Sequence, residues 1–297
     1  MERRARLIAA ANEEAIEAWD GVLFDRYVRF REIVVGGLAA HGEEALRHHP
    51  PRPGERALDI GCGFGDTTLR IAELVGSEGE AVGVDAAPRF IATARAEARA
   101  AGVANVRFEI ADVEAGVPGA GYEYAFSRFG TMFFANPVAA LRNVRGALVP
   151  GGRLSIVVWR RKSENDWVHR AERAVEELLP EPKESDAPTC GPGPFSMADA
   201  DTVSQILLAS GFEEVTLRRC DIPVRIGRDL DEAVEFVTSL GPAGELIRLA
   251  GMGAERMRPR IKSVVRQALA ALDGGDGLIA SASSWIVGAT APQWSSG

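Results

Sequence analysis

A glycine-rich loop between a predicted strand and a predicted helix constrains this chain more than any other feature. Residues 57–65 read Ala-Leu-Asp-Ile-Gly-Cys-Gly-Phe-Gly, and a helical pattern follows at once. Glycine permits positive φ angles and lets the backbone approach a ligand closely. The N-terminus of the following helix offers free N–H groups and a partial positive charge. The loop therefore predicts a binding site for an anionic group such as a carboxylate.

Strand and helix patterns alternate from this loop onward. Strands are predicted at residues 56–60, 81–85, 106–110, 123–127 and 153–159, and helices at residues 66–75, 88–101 and 137–148. Strands that alternate with helices are typical of βαβ units and a parallel sheet. We therefore predict an α/β fold with a Rossmann-like, doubly wound, mostly parallel sheet. Residues 12–47 read as helices placed before the sheet.

The pattern loosens after residue 160. We predict helices at residues 166–179 and 199–210, strands at residues 213–219 and 278–290, a proline-rich loop at residues 180–194 and a mostly helical stretch at residues 229–272. Folds of this class bind ligands in the crevice beyond the carboxyl ends of their strands. We expect one domain over residues 1–297, with its core at about 54–160 and 199–291. Residues 12–47, 160–195 and 229–272 are then the predicted walls and lid of one site.

Acidic residues stand at the carboxyl ends of the next two predicted strands. Asp85 lies 20 residues past Gly65, where a carboxylate accepts hydrogen bonds from both hydroxyls of a ribose. Asp112 follows the third strand. The alternative, a nicotinamide dinucleotide site, requires a third glycine at position 66. This position is Asp66, whose carboxylate would repel a pyrophosphate.

These motifs resemble those of the class I methyltransferases that use S-adenosylmethionine (SAM), in particular the ubiquinone/menaquinone-biosynthesis-like branch called methyltransferase type 11. The resemblance is strong over about residues 54–160 and includes the Leu-x-Pro-Gly-Gly turn at residues 148–152. It implies SAM as the cofactor. The cofactor-binding residues that it implies are Asp59, Gly61, Cys62, Gly63, Gly65, Asp85, Ala86, Asp112, Val113, Ser127 and Arg128.

The sequence departs from the family pattern in two ways. Glu123 stands where Asp is common, and this exchange keeps the carboxylate and has no functional consequence. The Asn/Asp-Pro-Pro-Tyr/Phe motif of amino-group methyltransferases does not follow the fourth strand, and no Pro-Cys pair supplies a nucleophile for cytosine chemistry. The absence of these two motifs disfavours a nucleic-acid base as the methyl acceptor.

Methyl transfer from a sulfonium is a direct displacement, so the protein must mainly align donor and acceptor and exclude water. Arg128 and His169 are the candidate catalytic residues, although a salt bridge and a surface position are the alternatives for them. Trp159, Asn165 and Trp167 are candidates for the acceptor pocket, with core packing as the alternative for the tryptophans.

Charge and cysteine usage limit the remaining function classes. The net charge of −8 and the pI of about 5.2 disfavour nucleic acid as a partner. Cys62, Cys190 and Cys220 lack the spacing of a metal site or a disulfide framework. No stretch reaches the roughly 18 apolar residues of a membrane span, so we expect a cytoplasmic protein, monomeric or homodimeric.

The sequence thus predicts a SAM-dependent methyltransferase that acts on a small, partly apolar metabolite at oxygen, nitrogen or carbon. A methyltransferase acting on protein or RNA is the alternative among enzymes. A SAM-binding protein that has lost catalysis is the alternative outside them.

Overall fold

A computed structural model describes residues 12–179 and 192–293 of the chain. Its strands are β1 (Arg56–Ile60), β2 (Glu80–Asp85), β3 (Val106–Ile110), β4 (Tyr122–Arg128), β5 (Leu148–Trp159), β6 (Glu213–Asp221), β7 (Val224–Gly227), β8 (Leu278–Ala280) and β9 (Ser283–Thr290). Its helices are α1 (Glu13–Ala18), α2 (Phe24–Arg29), α3 (Leu38–His48), α4 (Asp66–Val75), α5 (Pro88–Ala101), α6 (Pro137–Ala147), α7 (Asp166–Glu176), α8 (Ala200–Ala209), α9 (Leu230–Ser239), α10 (Pro242–Ala250) and α11 (Met252–Leu269).

The main sheet of the described residues has seven strands in the order β3-β2-β1-β4-β5-β9-β6. The pairs among β1, β2, β3, β4 and β5 are parallel, whereas β9 runs antiparallel to both β5 and β6. The predicted Rossmann-like α/β sheet is therefore confirmed. The strand order reverses between β1 and β4, and the carboxyl ends at such a switch point form a ligand crevice.

Burial on both faces of the sheet explains why its central strands read as apolar runs. Leu58, Ile60, Val84 and Ile156 have no solvent-exposed surface. Each such side chain stabilises the fold by roughly 1.5–3 kcal/mol through its burial. On the helical layer, α4 buries the face that contains Ile71, because apolar residues there recur at helical spacing.

Local signals fix where several helices begin and end. Gly65 has a left-handed conformation, with φ of +82°, immediately before α4. Pro88 opens α5, and Gly102 ends it with φ of +69°. The Asn136 side chain caps α6 by accepting a hydrogen bond of 3.0 Å from the N–H of Ala139.

Two parts of the carboxyl-terminal half differ from the sequence prediction. Residues 278–290, predicted as one strand region, form two strands that belong to different sheets. Strand β8 pairs with β7, which the sequence pattern did not indicate, in a small antiparallel sheet. The stretch 229–272 is mostly helical, as predicted, and folds into α9, α10 and α11, which pack against α7. Residues 180–191 of the predicted proline-rich loop, with Cys190, lie outside the described residues.

The helices before the sheet are joined by wider helical turns at Trp19–Leu23 and Glu32–Gly37. The N–H of Arg89, at the start of α5, donates a hydrogen bond of 2.6 Å to Asp20 and so ties the first turn to the sheet layer. On the other side, Phe30 packs edge to face against Phe236 of α9 at 5.4 Å. This amino-terminal helical segment therefore contacts α5 on one side and α9 on the other.

Candidate functional site

A cavity of about 340 Å³ lies at the carboxyl ends of β1, β2, β3 and β4. Its volume is within the range of small-molecule sites. The glycine loop, Asp85, Asp112 and Arg128 line it from the sheet side. The first two helices and the segments that join them close it from above. We call this closing segment, residues 12–38, the roof.

The backbone of the glycine loop forms the floor of the cavity and approaches the end of β4 closely. Gly61 and Gly63 have φ angles of +65° and +53°, in the left-handed region that favours glycine. A Cβ on Gly61 would lie 3.2 Å from the Cα of Gly130, at the end of β4. The hydroxyl of Ser127 donates a hydrogen bond of 2.8 Å to the carbonyl of Ile60, so β1 and β4 are joined beneath this contact.

Asp59 lies beneath the loop, among its supporting contacts. The hydroxyl of Thr68 on α4 donates a hydrogen bond of 2.6 Å to its carboxylate. Burial raises the pKa of Asp59 to about 7, against the lowering effect of that hydrogen bond. The side chain therefore joins β1 to α4 and shapes the loop from behind, and contact with a cofactor stays a prediction.

Asp85 faces the cavity at the end of β2. Its carboxylate accepts hydrogen bonds from the N–H groups of Gly63, at 3.0 Å, and Ala87, at 2.9 Å. Burial raises the pKa of Asp85, and these backbone donors oppose the shift. An ionised carboxylate has about four lone-pair sites, so capacity remains for hydroxyl donors of a ligand. Ala86 lines the cavity beside it.

Asp112 is bound to the roof. Its carboxylate accepts hydrogen bonds of 2.9 Å from the side-chain amide of Asn12 and from the N–H of Glu114. Val113 lines the same end of the cavity. Sequence reasoning missed Asn12, because 100 residues separate it from its partner and no local motif marks it.

Arg128 both lines the cavity and forms an ion pair. Its guanidinium donates to the carboxylate of Asp66 at 2.7 Å, and the two side chains are 14% and 28% exposed. The salt bridge that sequence reasoning left open thus exists at the first residue of α4. Both residues of the pair line the cavity, and contact of Arg128 with the cofactor stays a prediction.

Phe129 is the next residue and has a φ of +58°, a strained value for a side chain with a Cβ. Its ring stacks on Trp159 with 3.9 Å between centroids and 17° between planes. The buried imidazole of His41 packs edge-on against both rings, at 5.8 and 5.3 Å. Trp159 is only 3% exposed and supports Phe129 from behind.

The predicted acceptor residues after β5 are not among the described residues that line the cavity. Asn165 is fully buried, and its side chain bonds the backbone of Ser283 in both directions, at 2.9 and 3.2 Å. Trp167 stacks on Phe236 at 6.2 Å. His169 lies on α7, with a buried Nδ1 that has no hydrogen-bond partner in the described parts of the chain. Their roles with substrate stay predictions.

The roof supplies the aromatic wall instead. Trp19 packs edge-on against Tyr27, at 5.4 Å, and against Phe133, at 4.9 Å. All three residues line the cavity. Positions 19 and 27 fall on one predicted helical stripe, but position 133 is far away in the sequence. The sequence therefore did not show that the three aromatic residues form one wall.

In residues 12–179 and 192–293 no three His, Cys, Asp or Glu side chains come together as a metal site. Cys62 and Cys220 are free, buried thiols. Within the described part, no helix combines the length and the apolar character needed to cross a bilayer.

The residues present fit SAM. Gly61 and Gly63 line the cavity with backbone alone, so a ligand can approach the loop closely. Asp85 offers carboxylate oxygens for ribose hydroxyls, and Val113 with Phe134 offers apolar surface for a purine ring. Among the described residues of the wall, the acids Glu14, Asp66, Asp85, Asp112 and Glu114 outnumber the cation Arg128. A net negative wall suits a ligand that carries a sulfonium and an ammonium.

The fold and this site define a class I methyltransferase, and comparisons with known proteins agree. Residues 51–188 match the family described as "Methyltransferase domain". The ubiquinone/menaquinone biosynthesis C-methyltransferase UbiE of Shewanella oneidensis is 30% identical over 177 residues, which cover 55% of this chain and 68% of that protein. The chain belongs to the class I SAM-dependent methyltransferases.

A second relative is the aklanonic acid methyltransferase DauC of Streptomyces sp. It is 38% identical over 106 residues, which cover 35% of this chain and 48% of DauC, so the likeness spans about half of that protein.

Solved structures share the fold at low identity. A putative methyltransferase from Bacillus halodurans has a TM-score of 0.54 at 16% identity, over 85% of this chain and 99% of its own. Phosphoethanolamine N-methyltransferase 2 of Haemonchus contortus has a TM-score of 0.56 at 15% identity, over 94% of this chain and 60% of its own.

Proposed function

We propose that this chain transfers the methyl group of SAM to a small, partly apolar metabolite at oxygen, nitrogen or carbon. The observation that carries the proposal is the roof, whose aromatic side chains lie over the glycine loop, Asp85 and Asp112. A concave, aromatic wall of this kind suits a small molecule, because a nucleic acid needs an open, basic surface.

The residues of the chain act mainly by placing groups and excluding water. Asp85 and Asp112 would hold the ribose and adenine ends, and the Arg128–Asp66 pair would border the methionine end. When bound, SAM supplies an already activated methyl group. Phe129 and Gly130 would form the backbone wall beside it, and the ring of Phe129 is held by its stack on Trp159. A base is needed only if the acceptor must lose a proton early.

The acceptor would lie against the roof. Val34, Val35 and Leu38 line the cavity with Tyr27 and Trp19, so this end is apolar apart from the tyrosine hydroxyl and the indole N–H. The names of the relatives support a small acceptor, since one names aklanonic acid and the other ubiquinone/menaquinone biosynthesis. Neither name decides which atom this chain methylates.

Methyl-labelled SAM tests the proposal. The chain is incubated with a panel of phenolic, amine and quinol acceptors, and separately with protein and RNA, and label is followed into each fraction. Label in a small molecule that is lost in Asp85→Ala supports the proposal. Label in protein or RNA instead favours the macromolecular alternative. Tight SAM binding without any labelled product favours a binding protein that lacks catalysis.

A further inference from the structure

A second cavity, of about 350 Å³, lies between α2 and the helices α9, α10 and α11. It is separate from the site at the glycine loop and shares no lining residue with it. The cations that line it are Arg26, Arg29, Arg248, Arg258 and Lys262. This concentration of positive charge stands out in a chain whose net charge is −8.

Carboxylates neutralise this cavity only in part. Among its lining residues, Glu235 and Glu255 are the acids. Glu235 is shared, because it pairs with Arg29 at 3.3 Å and also with Lys262. Arg258 pairs with Glu255 at 2.5 Å.

Glu245, beside the cavity, pairs with Arg248 at 2.7 Å. Even with this third carboxylate, the positive groups exceed the negative groups among the described residues around the cavity.

Arg26 is a partly buried cation of the group. Its Nη1 donates a hydrogen bond of 2.9 Å to the carbonyl of Ser239. Within the described parts of the chain, no carboxylate lies within ion-pair distance of its guanidinium. Burial lowers the pKa of Arg26, with Glu245 raising it and Arg248 lowering it, yet arginine stays protonated in proteins.

A guanidinium has five N–H donors, and a partly desolvated one without an anion is electrostatically unfavourable. An anion that enters this cavity would supply the missing charge. Guanidinium groups bind phosphate oxygens in a bidentate manner, and Arg26 on α2 faces Arg248 and Lys262 across the cavity. The volume exceeds that of a single ion, which suits a molecule with more than one anionic group.

We propose that this cavity is a binding site for a small phosphorylated anion, with Arg26 as its central contact. The site is independent of methyl transfer, since the two cavities have different linings. Arg26 lines this cavity and its neighbour Tyr27 lines the other, so α2 stands between them.

Calorimetric titration of the full chain with pyrophosphate tests the proposal, in a buffer of fixed ionic strength and with S-adenosylhomocysteine present to occupy the other cavity. We expect saturable binding of one pyrophosphate. Arg26→Gln should weaken it by about tenfold or more, because a charge-assisted hydrogen bond is lost. Arg70→Gln is the matched control and should leave binding unchanged. Arg70 lies on α4 and pairs with Glu43 of α3 and with Glu73 of α4.

A second variant should change the affinity for pyrophosphate in the opposite direction. Glu235→Gln removes the carboxylate that competes for Arg29 and Lys262, so pyrophosphate should bind more tightly. If Arg26→Gln does not fold, Lys262→Gln replaces it with the same expected weakening.

No saturable binding to the wild type, or equal binding to Arg26→Gln, would overturn the proposal. Citrate that binds more tightly than pyrophosphate would overturn the phosphoryl assignment.

Discussion

Gly61 and Gly130 bring the backbones of β1 and β4 into contact where the strand order of the sheet reverses. A Cβ on Gly61 would lie 3.2 Å from the Cα of Gly130, and one on Gly130 would lie 3.0 Å from the carbonyl of Ile60. Side chains at either position would push the strand ends apart. The shape of the cavity floor therefore depends on two glycines that are 69 positions apart in the sequence.

Gly61→Ala should weaken SAM binding by about tenfold or more, since it adds strain and displaces the floor against which the ligand lies. Gly54→Ala is the matched control, because Gly54 also has a positive φ, of +84°, but no atom within 4 Å of the added Cβ. Both variants should lose about 1–2 kcal/mol of unfolding free energy from the left-handed conformation. Calorimetry and urea denaturation separate the two effects. Equal affinities in the two variants would show that the contact does not matter for binding.

Asp85→Ala should weaken SAM binding by at least about tenfold, because hydrogen bonds to a charged group contribute roughly 1.5–3 kcal/mol each. Asp112→Ala should have a smaller effect, since the backbone at Val113 still borders the adenine end. Glu78→Ala, at an exposed position before β2, is the control. Calorimetric titration of the folded variants measures all three. Wild-type affinity in Asp85→Ala would refute the ribose assignment.

His169→Ala should leave single-turnover methyl transfer within about tenfold of wild type, whereas a general base contributes about 10²–10⁴-fold. The histidine lies on α7 and does not line the described cavity. Trp159→Ala should cost more, because Phe129 loses its stacking partner and a shift of about 1 Å in reacting geometry costs about 10²-fold. His48→Ala serves as the control for removing an imidazole. A thousandfold loss in His169→Ala would identify it as the base.

The stability of the protein should depend on pH through His41. The pKa of His41 is lowered from 6.5 to about 4, and burial is the largest cause. The hydrogen bond to the carbonyl of Ile222 and the charge of Asp221 oppose this shift, whereas the charge of Arg128 adds to it. Between these values the unfolded chain binds a proton that the folded chain does not. The stability that neutral His41 contributes is therefore present above about pH 6.5 and is lost as the pH falls toward about 4.

Comparison with His41→Gln isolates this effect, because other titrating groups, such as Asp59, are present in both chains. The difference in unfolding free energy between wild type and variant should shrink by about 2 kcal/mol from about pH 7.5 to about pH 5. Urea denaturation at both pH values measures it. A constant difference for His41→Gln would contradict the predicted direction.

The sheet and the loop were predictable because their signals are local. Apolar runs, Gly65 and Pro88 each mark a boundary within a few residues, and Asp85 follows β2 at a spacing set by one βαβ unit. Ligand-facing positions at strand ends follow from the same geometry.

The roof was only half predictable, because it depends on contacts between distant segments. The pattern showed helices at residues 12–47 but not that Asn12 bonds Asp112 or that Trp19 packs on Phe133. Residues 160–179 looked equally suited to the wall, yet Asn165 uses its amide to join α7 to β9. Tertiary packing decides whether an apolar helix face contacts a ligand or another helix. The local periodicity of the sequence does not show this packing.

The position of β9 has a consequence for synthesis of the chain. Strand β6 has β9 as its partner in the sheet, and β9 also completes the edge of β5. A ribosome delivers β6 before β9, so a nascent chain holds two unpaired strand edges until the later segment emerges. Such edges pair readily with other chains. Translation that pauses before β9 should therefore leave an aggregation-prone nascent protein, and this interval is where a chaperone would protect it.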